Sequence, residues 1–179
     1  MSSVVISGDT SGTITLAAPA VAGTNTLTLP ASTGNILAST SQLIGNGTTT
    51  NDSASSGQVG EYIDSFVVTA SVGTTPTTLT SISLTAGDWD LSGCVELNGA
   101  NGVTSLLAGI NTTTNSISGL SLGKSYIYAP SSTFAGGLGS ATLPRFRVNI
   151  SSTTTYYLIG SLGTTATNCN GYISARRMR

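Results

Sequence analysis

The sequence predicts an all-β protein: a short N-terminal β-arm followed by an antiparallel β-sandwich of jelly-roll-like order. Three observations carry this. Residues 61–179 hold eight short segments rich in Val, Ile, Leu, Tyr or Thr, most of them bounded by Gly, Pro, Asn or Ser. No window sustains the 3.6-residue period of an amphipathic helix. Good helix formers are scarce, with two Glu, two Gln and one Lys in 179 residues.

The arm spans residues 1–38. Glycines at 12, 23 and 34 recur every 11 residues, each opening a short alternating segment. These are Thr13-Ile14-Thr15-Leu16, Thr24-Asn25-Thr26-Leu27-Thr28-Leu29 and Asn35-Ile36-Leu37. Period-two alternation puts Ile14 and Leu16 on one face, and likewise Leu27 and Leu29. Pro19 and Pro30 lack a ladder donor and belong in turns or at strand ends. Two or three short strands are at best marginal alone in water. The apolar positions Ile14, Leu16, Leu27, Leu29, Ile36 and Leu37 therefore need cover from the other domain, from identical copies or from a foreign surface.

Residues 39–60 read as a linker of Ser, Thr, Asn and Gly, either flexible or pinned in extended form. The sandwich follows over 61–179. Its expected strands are 63–71, 77–85, 88–97, 104–112, 124–129, 143–150, 154–161 and 171–177. Spacing of about 10 to 15 residues favours two antiparallel sheets, with a jelly roll as the leading topology. Trp89, the single tryptophan, is expected as a core or sheet-edge anchor.

Composition then bears on function. Charged residues make up 7% of the chain, against about 25% in ordinary soluble domains. With 27 Ser, 30 Thr and 22 Gly, the surface must be solvated by hydroxyls and backbone. The chain has no histidine, which removes the commonest general base and metal ligand together. One Lys and two Cys leave little for Schiff-base or thiolate-cluster chemistry. The expectation is a non-enzyme with no cofactor and no metal site.

The few reactive groups are weighed singly. Asp88 and Asp90 share a strand face, the arrangement paired carboxylates need for glycoside hydrolysis or calcium. Two carboxylates supply too few oxygens for calcium, and the pair reads as a solvent-facing strand start. Arg145 and Arg147 also share a face, and can pair with Asp88, Asp90 or Glu96 on a neighbouring strand or subunit. Lys124 and Ser125 are adjacent on an expected strand and so point apart, which disfavours a Ser–Lys nucleophile. Cys94 and Cys169 are expected as two small buried thiols.

Every acidic residue lies at or before Glu96, and every basic one at or after Lys124. Arg176, Arg177 and Arg179 are candidate electrostatic contacts to an acidic partner. A net charge of −1 argues against nucleic acid. No apolar run approaches the ~20 residues of a membrane span, and the N-terminus lacks the features of a signal peptide.

Residues 12–30, with Thr13-Ile14-Thr15-Leu16 and Thr24-Asn25-Thr26-Leu27-Thr28-Leu29-Pro30 inside them, resemble a segment common in structural proteins of tailed bacteriophages. There it is usually continued by a phrase like Ala31-Ser32-Thr33-Gly34-Asn35-Ile36-Leu37. The closing Gly171-Tyr172-Ile173-Ser174-Ala175-Arg176-Arg177-Met178-Arg179 looks like the last strand of small β-domains in phage fibres and head decorations. Leu84-Thr85-Ala86-Gly87-Asp88-Trp89-Asp90-Leu91-Ser92-Gly93 is similar in the same way. Together these stretches cover about a quarter of the chain.

The resemblance implies a virion protein, made in the host cytoplasm, whose N-terminal segments interlock in a homotrimer. Two roles fit it. One is a capsid decoration (cement) protein clamping neighbouring subunits of the major capsid protein on the head exterior. The other is a tail fibre or receptor-binding tip recognising a host surface glycan or protein, with Tyr126, Tyr128, Tyr156 or Tyr157 as platforms. The short arm, linker and single β-domain, without a repetitive shaft, favour decoration.

Overall fold

Segments rich in hydroxyl and aliphatic residues form most of the strands among the described residues. The structure is a computed structural model that describes residues 3–7, 10–17, 20–21, 23–24, 26, 54–99, 102–130, 138–163 and 166–179. Among these it contains ten strands, β1 (Ser3–Ser7), β2 (Thr13–Ala17), β3 (Tyr62–Val72), β4 (Thr77–Leu84), β5 (Gly87–Asn98), β6 (Ser105–Asn111), β7 (Tyr126–Pro130), β8 (Leu138–Ile150), β9 (Thr154–Leu162) and β10 (Thr167–Arg177). The chain divides into two compact units, Met1–Gly47 and Thr48–Arg179. No helix among the described residues is long and apolar enough to cross a membrane.

In the first unit β1 and β2 pair antiparallel, from Ser3↔Ala17 to Ser7↔Thr13. Gly12, just before β2, has φ +81°, a conformation a side chain would strain. The expected segment Thr13-Ile14-Thr15-Leu16 lies within β2. Strand β1 was not expected, because Val4-Val5-Ile6 is a short apolar run without alternation. The register sets Ile14 opposite Ile6 and Leu16 opposite Val4. Leu27, Leu29, Ile36 and Leu37 lie outside the described residues.

The second unit is two antiparallel four-stranded sheets, ordered β3-β10-β5-β8 and β4-β9-β6-β7. Trp89, Leu91, Val95 and Ile173 from the first sheet join Leu106, Ile110 and Leu158 from the second in one apolar core, each at most 2% exposed. The arrangement is sandwich-like and all-β. Each of the eight expected segments overlaps one strand, and the differences lie at the ends. Strand β8 begins at Leu138, not 143, because Leu138 to Thr142 pair with Asn98 to Cys94. Strand β10 begins at Thr167, not 171, because Thr167 to Cys169 pair with Val72 to Ala70. Pairing recruits these small polar residues, which carry little strand signal themselves.

Two further corrections are local. Lys124 and Ser125 lie in a turn before β7, where the N–H groups of Lys124, Ser125 and Tyr126 all donate to Ser121 O. Their expected opposition along a strand therefore does not arise. Of the segment assigned to the linker, residues 54–60 are described and make turn and strand-end hydrogen bonds. Gln58 N–H donates to Ser55 O and Gly60 N–H to Arg177 O, both at 3.0 Å.

Candidate functional site

The C-terminal arginines divide. In β10, Gly171, Ile173, Ala175 and Arg177 share the inward phase, so alternation carries Arg177 into the interior with the core residues. It is 5% exposed. Its Nε donates to Glu61 Oε2 at 2.8 Å, its Nη1 to Ala86 O at 2.9 Å, and its Nη2 to Thr85 Oγ1. The guanidinium lies 4.2 Å from the centroid of the Trp89 ring. Trp89 Nε1–H donates to Thr85 O at 3.0 Å, completing a closed network. Arg177 is thus bound inside its own chain and is not an exposed contact for an acidic partner. The period-two pattern of β10 held the signal for this.

Arg176 is exposed. The exposed side chain of Arg179 reaches back, Nε to Asp88 Oδ2 at 2.9 Å. Arg147 Nε donates to Asp88 Oδ1 at 2.6 Å, with a second bond from its Nη2 to Oδ2. Asp88 was expected to face solvent, but two arginines cover it and leave it 2% exposed. Of the expected partners for Arg147, Asp88 is the one bonded.

Both buried acids are held below the ordinary carboxylate range. For Glu61, burial pushes the carboxyl up. Hydrogen bonds from Arg177, the Gly57 N–H and Ser56, together with the charge of Arg177, outweigh it. For Asp88 the hydrogen bonds from Arg147 dominate, burial opposes, and the charges of Arg147 and Arg179 add to the lowering. Neither acid is free to act as a proton donor near neutral pH. Among the described residues no group of three or more His, Cys, Asp or Glu is placed to hold a metal ion.

The thiols are both free and differ in environment. Cys169 is fully buried, and burial pushes its pKa up to about 11. Cys94 is half-buried on the outer face of β5, where Thr142 Oγ1 donates to its Sγ at 3.3 Å. A thiol-reactive dye should therefore label one cysteine per native chain rapidly, at Cys94, and the second only on unfolding. Equal labelling of both in the native protein, followed by peptide mass mapping, would contradict this placement.

Of the tyrosines suggested as platforms, Tyr156 is buried, Tyr126 and Tyr157 are half-buried, and Tyr128 is exposed. Sequence reasoning missed a more prominent set. Tyr62, Phe66, Val68 and Tyr172 project from the outer face of the β3-β10-β5-β8 sheet, with Phe66 71% exposed. Their apolar character gave no reason to expect exposure, and the outward phase is set by how the strand packs.

In the first unit, Val5 is 57% and Ile6 53% exposed. Two aliphatic side chains thus stand open on a two-stranded hairpin. No protein-family model matches this sequence, and no curated protein matches it.

Proposed function

We propose that this chain is a structural protein of a tailed-phage virion, a homotrimeric decoration (cement) protein that clamps neighbouring major-capsid subunits on the head exterior. One observation carries the reading: the N-terminal unit contains a two-stranded hairpin with exposed aliphatic side chains at Val5 and Ile6. A hairpin of this size gains stability by being covered. Each fully covered aliphatic side chain contributes about 1.5–3 kcal/mol before entropic costs. Three symmetry-related arms multiply that gain, so a weak module becomes a strong clamp. Ile14 and Leu16, with Leu27, Leu29, Ile36 and Leu37, are the positions assigned to this contact.

We read the two-sheet unit as a jelly roll. The pairings β3·β10, β4·β9, β5·β8 and β6·β7 support that reading, since they are those of one long hairpin of eight strands wrapped onto itself. Its hydroxyl-rich surface suits a permanent assembly part with little charge. Arg176 remains available at the surface of this unit for contact with an acidic capsid patch, whereas Arg179 is paired with Asp88. Exposed pairs of this kind contribute about 0–1 kcal/mol each.

Copy number tests the role. Hundreds of copies per particle support a cement protein, whereas a few to a few dozen assign the chain to a tail fibre. Deleting residues 1–38 tests the arm. The shortened chain is expected to run as a monomer in light scattering and to leave capsids undecorated. Trimers that still coat capsids would remove the arm from the mechanism.

A further inference from the structure

The outer face of the β3-β10-β5-β8 sheet carries a feature that capsid clamping does not use. The β3–β10 register shifts between Cys169↔Ala70 and Gly171↔Val67, so β3 holds one residue more than its partner there. At that bulge Thr69 has φ +63°, a left-handed conformation that β-branched residues rarely adopt. Bulges and strained residues of this kind gather where a strand re-aims side chains toward a ligand. Here Val68 and Thr69 are both exposed in succession, which breaks the alternation of the strand.

The bulge is held by a directed chain of bonds. Thr69 N–H donates to Asn170 Oδ1 at 3.2 Å, and Asn170 Nδ2 donates to Glu96 Oε2 at 3.1 Å. Beside this pair lies a groove of about 310 Å³, bounded by Phe66, Val68, Cys94, Glu96, Asn170 and Tyr172. Phe66 and Tyr172 are direct cross-strand partners, so their rings form one apolar platform. Tyr172 is further steadied by a hydrogen bond between its hydroxyl and that of Tyr62.

The chemistry of the wall selects a ligand class. Glu96 keeps free acceptor lone pairs, and Asn170 keeps one N–H after its bond to Glu96. A wall that both accepts and donates matches hydroxyl groups, which do both. An anion only accepts, and the groove lining contains one acid and no base. A pair of neighbouring exposed aromatic rings matches the C–H face of a sugar ring. The volume lies at the lower end of the about 300–1,000 Å³ typical of ligand pockets, which suits one or two rings.

We propose that this groove binds a neutral carbohydrate, with one or two pyranose rings stacked on Phe66 and Tyr172 and hydrogen-bonded to Asn170 and Glu96. The site lies wholly within the two-sheet unit and does not depend on the capsid-clamp reading. Loss of one leaves the other standing.

The test uses the full chain with maltotriose, cellotriose, mannotriose and chitotriose, alongside choline and a sulfated disaccharide as charged probes. Saturation-transfer NMR followed by calorimetric titration is expected to show at least one neutral trisaccharide binding with a dissociation constant of about 1 mM or tighter. Phe66→Ser and Glu96→Gln should each weaken that binding about tenfold or more, with the melting temperature and elution volume of the wild type retained. Binding that is unchanged in both variants overturns the proposal. So does silence of all four neutral sugars at about 10 mM, or binding of choline or the sulfated probe in their place. If Phe66→Ser instead reduces the oligomer, the face is a contact between copies and the carbohydrate site is withdrawn.

Discussion

Replacing Arg177 with Ala is expected to destabilise the two-sheet unit by about 3–5 kcal/mol, the range for removing one member of a buried ion pair. The substitution leaves the Glu61 carboxylate buried, with its Arg177 hydrogen bond gone. It also strips the cation from the Trp89 ring and empties the space beside Thr85 and Ala86. Arg177→Lys keeps the charge but not the planar fork, so an intermediate loss is expected. Replacing both partners, Glu61→Leu with Arg177→Met, should recover most of the stability, because two apolar groups leave no unpaired charge. Urea unfolding of the four proteins reads all of this. A loss below about 1 kcal/mol for Arg177→Ala would show that the network is incidental.

The same pair, with Asp88, sets an acid limit. Glu61 and Asp88 both titrate below their ordinary values in the folded protein. The unfolded chain therefore binds protons first as pH falls. Stability is complete above the ordinary carboxylate values of about 4, and drains as pH drops through the lower folded values. The melting temperature should be flat from neutral pH down to about 5 and then fall. In Glu61→Gln that fall should be shallower, from a lower plateau. Asp88 adds a salt-sensitive part, since its partners Arg147 and Arg179 are largely exposed.

The second large effect lies where the sheets approach. A Cβ at Gly171 would sit 2.9 Å from Leu79 Cδ2, 3.0 Å from Leu158 Cδ2 and 3.1 Å from Leu79 Cβ. Gly160, in the opposite sheet, leaves a similar space filled by Leu79 Cδ1 at 2.9 Å. Glycines in both sheets thus make room for one leucine of β4, beside the register shift between Thr78 and Thr80. Gly171→Val should destabilise by about 3 kcal/mol, the upper part of the overpacking range. Adding Leu79→Ala should restore a substantial share, although Leu79→Ala alone is destabilising. Such a coupling marks the contact as direct. Additive losses in the double variant would mean that the sheets relax apart instead.

Several features were legible in the residues because their causes are local. Period-two alternation and bounding turn residues are properties of five to ten neighbours, and they located all eight strands of the second unit. The same locality explains β2 and the turn before it. The ends of β8 and β10 were not legible, because Ser140, Thr142 and Asn168 become strand only by bonding to a neighbour already in place. Strand β1 was missed for the same reason: three apolar residues acquire a register only from β2.

Charge placement was legible in part. The possibility that Arg147 pairs with Asp88 followed from shared strand faces, but the burial of Asp88 did not. It depends on Arg179 returning from the chain end, and no local pattern encodes that. For Arg177 the alternation of β10 pointed inward, yet the density of charge in the last four residues suggested a surface patch. Tertiary structure resolved the conflict by supplying Glu61 and the Trp89 ring, without which a buried guanidinium is too costly to form. The exposed Phe66–Tyr172 platform is the converse case. Its residues read as core formers, and nothing local said that no other element would cover them.

The sequence by itself determined that this protein is built of strands, poor in charge and without histidine. Those are properties of composition and short-range pattern, and they hold in any fold the chain adopts. Tertiary structure alone decided which acids are buried, which arginine is internal and which apolar face stays open. Each of these depends on contacts between residues many tens of positions apart, whose free energy exists only once the sheets have assembled.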